Sequence, residues 1–181
     1  MQPKDKLQQY IEQGIYGAPE LKKEERKQYL GQFRERVIKV LTQEQLQDSR
    51  YVDGMIQALQ DPRAHSLYVR TQENNGESQT LSLLTSEAQK SQIPFSFVDG
   101  NTYIGDIAVV LAAKDAIEEK NIYIDPSPLP LEFYQNQGKT LCKTCYQEIQ
   151  KKYPEYQHAF TEAGFWKKLF GFQCPITSRH Q

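Results

Sequence analysis

The sharpest chemical signal in the chain comes from three thiols in its last quarter. Cys142 and Cys145 form a CxxC pair, and Cys174 is followed by Pro175 and Ile176, so the second turn resembles half of a zinc knuckle with Thr177 where a fourth cysteine would stand. Thiolates offered by two turns suit tetrahedral Zn²⁺, which accepts imidazole as readily as sulfur, and His158 or, alternatively, His180 can complete a Cys₃His set. One structural zinc ion is thus the cofactor these residues point to. A redox pair is the rival reading, because Cys145 leads into the helix-like YQEIQKKY and a helix N-terminus lowers a thiol pKa. Ordinary reduced cysteines are the third.

A second constellation lies near the other end, in GIYGAPELKKEERKQYLGQFRERV. Two glycines, a proline, two tyrosines and a block of mixed charge stand directly ahead of an apolar run. Arg26, Arg34 and Arg36 offer forked guanidinium groups that suit a carboxylate or phosphate, and Tyr16 and Tyr29 offer rings that can stack on a base or line a pocket. If the chain is extended from Phe33, alternation places Arg34 and Arg36 on one strand face. The same residues have a plain structural use, in which the arginines pair with Glu24, Glu25 and Glu35 and the tyrosines anchor the N-terminal helix.

Catalysis has little support. The only histidines are His65, His158 and His180, and no GxSxG, P-loop or GxGxxG accompanies them. The charge is unevenly spread: residues 1–40 hold nine Lys/Arg against six Asp/Glu (+3), residues 41–138 six against fourteen (−8), and residues 139–181 seven against three (+4). Basic ends around an acidic middle suit contact with an anionic macromolecule, or a solvated surface with no partner. Lys4, Asp5 and Lys6 are followed by polar residues rather than by a leader-like apolar run, and no apolar segment is long enough to cross a bilayer. Three cysteines, an odd number confined to one end, argue against a disulfide framework and for the cytoplasm.

The elements that must position these groups follow from periodicity. Leu7, Tyr10, Ile11 and Ile15 are spaced for a short amphipathic helix, and a second follows Pro19 and ends at Gly31. Phe33 to Leu41 reads as a strand covered on both faces. Thr42 and Gln45 fit a capping box that opens a helix running to about Leu59. A strand at Ser66–Arg70, a polar turn at Asn74–Gly76 and a helix carrying Leu81, Leu84 and Ala88 come next. Strands are then expected at FSFV, at Ile107–Ala113 and at Asn121–Asp125. The order is strand, helix, strand, helix and three strands, an α/β (α+β) domain over residues 1–125 with helices covering a mixed sheet. Prolines at 126, 128 and 130 mark residues 126–138 as a linker, and residues 139–181 form a Cys/aromatic C-terminal extension. In it Phe160, Phe165, Trp166, Leu169, Phe170 and Phe172 surround Lys167 and Lys168, suited to docking on the domain, a membrane interface or a partner.

The N-terminal block, together with IPFSFVDGNTYIGDIAVVLAAKDAI, resembles the YueI-like family of Gram-positive bacteria over about residues 5–125. The resemblance implies a Bacillus chorismate mutase-like fold, in keeping with the order above, and no known activity. Chorismate mutase-like chemistry would cast Arg26, Arg34 and Arg36, with Glu20 or Glu24, around an anionic substrate. The fold group also includes ribosomal and kink-turn RNA-binding proteins, and AQKSQIPFSFVDGNTYIGDIA is similar to their helix–Ile–Pro–strand–Gly passage. Their Gly-Asn-Glu signature, however, would fall where this chain reads LTQEQLQDSR, so that RNA site does not carry over. The expected function is that of a non-catalytic binding module for an anionic partner such as RNA. Binding or conversion of a small anionic metabolite beneath the N-terminal block is the alternative.

Overall fold

The computed structural model describes residues 22–71, 79–164 and 171–176. The helix expected near Leu7–Ile15, the turn at Asn74–Gly76, and Phe165, Trp166, Leu169 and Phe170 of the aromatic cluster lie outside them.

The strand with no polar residue sits inside the sheet. β4 (Ile107–Ala113) is buried at every position, and its neighbours are β1 (Val37–Thr42) and β2 (Ala64–Thr71), both antiparallel to it. β3 (Phe95–Asp99) runs parallel to β2 at the edge, which gives the order β1-β4-β2-β3. Side chains along β4 feed two cores. Val109 and Leu111 join Leu67 and Val69 on one face and Val110 joins Val40 on the other; Ile107 shares the second face because a register shift between Leu41 and Thr42 breaks the alternation. Each such aliphatic side chain contributes about 1.5–3 kcal/mol on burial.

Two helices cover the first face. α2 (Ser49–Ala58) turns Val52 and Met55 inward, and α3 (Gln79–Lys90) does the same with Leu81, Leu84 and Ala88. The capping box forms as expected: the Thr42 amide donates to Gln45 Oε1 at 3.0 Å and the Gln45 amide to Thr42 Oγ1 at 3.3 Å. It opens only a 3₁₀ turn, Gln45–Gln47. The long helix begins later, because the Asp48 carboxylate accepts the Arg50 amide at 2.9 Å and is the stronger N-cap. Before the sheet, α1 (Lys23–Gln28) is a short exposed helix that leads to Leu30, which is buried on the second face.

Two expected strands differ. Residues Arg34–Arg36 form a 3₁₀ turn rather than the start of β1. Gly31, at φ +89°, redirects the chain there, and the Glu25 carboxylate fixes the Arg34 amide at 2.9 Å. The fifth strand is a single parallel bridge, Val40 to Tyr123, with the Val40 amide donating to the Ile122 carbonyl at 2.8 Å. Lys39 Nζ takes up the carbonyls on either side, Asn121 at 2.7 Å and Tyr123 at 3.2 Å, where further pairing would otherwise run.

The C-terminal extension has a core of its own, built from Leu129, Phe133, Leu141, Cys145, Ile149, Phe160 and Ile176. Part of the expected linker belongs to it, since Leu129 and Phe133 are fully buried and Phe133 stands in the short helix α4 (Leu131–Tyr134). Its other elements are α5 (Lys143–Lys152) and a parallel pair of two-residue strands, β5 (Thr140–Leu141) and β6 (Thr161–Glu162). Phe133 and Phe160 meet edge to face at 6.1 Å. Three contacts join the end of the sheet domain and the extension to α2. Arg50 Nη1 donates to the Leu129 carbonyl at 3.1 Å, the Tyr134 hydroxyl donates to the Asp53 carboxylate at 2.8 Å, and Ile124 lies against Gly54 with no room for a Cβ between them.

Gly54→Ala therefore tests the join. Alanine is the better helix former by about 1 kcal/mol, yet its methyl would overlap Cγ2 of the buried Ile124. The expected outcome is a net loss of about 1–2 kcal/mol, read as a lower urea midpoint at unchanged slope. A stabilised variant would show that the α2–Ile124 contact is wrong.

Candidate metal centre and the N-terminal basic block

The thiols are placed by the core of the extension. Leu141 is buried just before α5, which sets Cys142 at the helix N-cap and Cys145 in the first turn. Ile149 lies four residues beyond Cys145, one turn along the same face, so both point into the core. Cys174 arrives from the other end of the extension, held by Ile176, which is 1% exposed in the same core. The three sulfurs lie within 4.8 Å of one another. An ion with metal–sulfur bonds of about 2.3 Å in a tetrahedron separates its sulfurs by about 3.8 Å, so a contraction of about 1 Å at most seats one.

Electrostatics divide the pair at the helix start. Burial pushes the Cys142 thiol up, but the Cys145 amide and thiol, the Cys174 thiol and the Thr144 amide together outweigh it and hold it below the usual thiol value. Burial pushes Cys145 far up, and the neighbouring Cys142 and Cys174 add to the effect. Cys142 thus ionises before Cys145, and a divalent cation would relieve the repulsion among three thiolates.

Of the expected ligands, the structure unites the three cysteines. His158 is exposed on the 3₁₀ run Pro154–Ala159 and lies outside the group, and His180 falls outside the described residues.

The N-terminal block is differently disposed. Arg34 Nη2 donates to the Glu119 carbonyl at 2.6 Å, and Arg26 Nε donates to the Gly31 carbonyl at 3.0 Å while its guanidinium lies 5.5 Å from the centre of the Phe33 ring. Arg36 is exposed. Because both residues sit in a 3₁₀ turn, the shared strand face expected for Arg34 and Arg36 does not exist. Tyr29 does meet Arg34: burial raises the pKa of its phenol and the guanidinium partly offsets this. Tyr16 lies outside the described residues.

One clamp escaped the sequence. Arg70, on β2, donates to the Gly100 and Gly105 carbonyls, each at 2.7 Å, and to that of Tyr103 at 2.8 Å, closing the loop between β3 and β4. The signal available was DGN at residues 99–101, a turn whose carbonyls need donors: the Asp99 carboxylate holds the Asn101 amide at 3.0 Å, and Gly100 leaves no space for a side chain against the Thr71 carbonyl.

Comparison with known proteins bears on the first unit. A family model described as a protein of unknown function, DUF1694, matches residues 4–123. The chain belongs to that family. It is 32% identical over 122 residues to the uncharacterized protein YueI of Bacillus subtilis (strain 168), a match spanning 66% of this chain and 89% of the relative. The crystal structure of the YueI protein from Bacillus subtilis aligns with a TM-score of 0.50 at 30% identity, covering 68% of this chain and 94% of that one. The three cysteines lie beyond the residues matched to DUF1694.

Tyr134, which ties the extension to the DUF1694 region, supplies a pH test. Burial, then the Asp53 carboxylate, push its phenol up to about 12 from 10.0. A raised pKa favours the protonated form in the fold, so this stabilisation is whole below pH 10 and fades as the pH climbs toward 12. Tyr134→Phe is expected to cost about 1–2 kcal/mol at neutral pH and to show a smaller further loss than the parent between pH 10 and about 12, followed by urea unfolding at each pH. Equal losses across that window would rule out the Tyr134–Asp53 bond.

Proposed function

We propose that this protein is a non-catalytic cytoplasmic binding module for an anionic macromolecule, with structured RNA the first candidate, and that one structural zinc ion shapes its C-terminal extension. The observation that carries the zinc reading is the convergence of all three cysteines from two separate segments within 4.8 Å. Thiolates select zinc among the common divalent ions, and a small unit with a small core gains most from such a staple. All three cysteines are unbridged, which suits the reducing cytoplasm, and among the described residues no helix is long and apolar enough to cross a membrane. The strand–helix–strand–helix–strand–strand order supports a Bacillus chorismate mutase-like fold for the DUF1694 region.

The anionic partner is favoured by the basic ends of the chain, and its contact shifts away from Arg26 and Arg34. Arg26 and Arg34 face backbone carbonyls. Exposed cations among the described residues include Arg36 and, on the extension, Lys143 and Lys151. A small metabolite beneath the N-terminal block would have Tyr29 beside Arg34 as its best foothold, but Arg34 would first have to release the Glu119 carbonyl.

Two measurements test these parts separately. Protein purified without chelator is expected to carry one zinc per chain by elemental analysis, and Cys145→Ser none; a metal-free parent protein would remove the zinc. Binding to a structured RNA is expected to fall steeply with salt, and Lys143→Glu combined with Lys151→Glu to weaken it about tenfold and flatten the slope by roughly one to two. Salt-independent binding, or none, would remove the anionic partner.

A further inference from the structure

The cysteine cluster offers three sulfurs and, among the described residues, no fourth donor. Its burial is lopsided: Cys145 is buried in the core of the extension, whereas Cys142 and Cys174 are each partly exposed. An ion seated on these sulfurs has the core of the extension on the Cys145 side and the partly exposed Cys142 and Cys174 on the other. Zinc with four protein ligands is closed, while zinc with three keeps a position for water or an exogenous donor.

The surroundings say which donor suits it. Three thiolates already make the ion soft and prefer a fourth sulfur to oxygen. Adding an anion to a centre of net charge −1 is costly in isolation, but residues 139–181 carry seven Lys/Arg against three Asp/Glu. Lys143 directly follows Cys142, is exposed, and stands at the same end of α5 as the cluster. The helix N-terminus adds its partial positive charge at Cys142.

The geometry points to a three-cysteine metal centre with an exchangeable fourth position that a small thiolate from solution completes. This rests on the zinc reading above and adds the ligand class. The step is a substitution without change of oxidation state: the incoming thiol gives its proton to solvent, its sulfur bonds to the ion, and the bound water leaves.

The test uses the full chain loaded with Co²⁺ in place of zinc, with 2-mercaptoethanol as the probe. Sulfur-to-cobalt charge-transfer absorption reports the number of bound thiolates. Adding the thiol is expected to raise that absorption by about one third, as three sulfurs become four, with His158→Ala and His180→Ala behaving as the parent does. An unchanged spectrum, or a fall as the thiol strips the metal, would overturn the inference. So would a rise seen only in His180→Ala or His158→Ala, which would make that histidine the fourth ligand and leave the metal centre standing. Absence of any charge-transfer band in the parent protein would remove the metal centre itself, and the inference with it.

Discussion

Everything in the first unit depends on β4. Seven consecutive apolar residues, all buried, leave this strand no solvent face. It must be paired along both edges and covered on both sides. β1 and β2 supply the edges; α2 and α3 cover one face, and Leu30 helps to close the other. The antiparallel pairing on both sides of β4 leaves β2 free to take β3 in parallel, across the α3 crossover.

The loops beside the sheet carry carbonyls that no ladder uses, and these need donors. The cations near the sheet answer that need: Lys39 holds residues 121 and 123, Arg34 holds residue 119, and Arg70 gathers the carbonyls of residues 100, 103 and 105. Charge-assisted bonds of this kind are stronger than neutral ones, and an unpaired buried carbonyl is costly. Arg26 and Arg34 of the N-terminal block therefore have structural work that a count of charges does not reveal.

How much was legible follows from the range of each signal. The capping box at Thr42 and Gln45, the apolar run of β4 and the inward Leu81–Leu84–Ala88 triplet are local patterns, and the structure contains them. Arg34 and Arg36 failed because an alternation argument presumes a strand, and the turn that replaces it is set by Glu25, nine residues away. Residues 126–138 looked like a linker because prolines read as punctuation, whereas Leu129 and Phe133 are buried by partners as distant as Phe160 and Ile176. The cysteines were found by spacing, and their convergence depends on Ile176 reaching the same core as Ile149. No spacing rule could identify a fourth ligand.

Two cores joined through α2, with a zinc ion proposed to hold the second together at its thiols, make a claim about cooperativity that hydrogen exchange reads directly. Amide exchange is followed across the full chain as purified and again after treatment with a chelator. The expected result is that protection falls in α5 and β5, where Cys142 and Cys145 anchor the extension, while β4 and its neighbours keep theirs. Protection in α5 that does not change on chelation, or that is lost together with protection in β4, would contradict it.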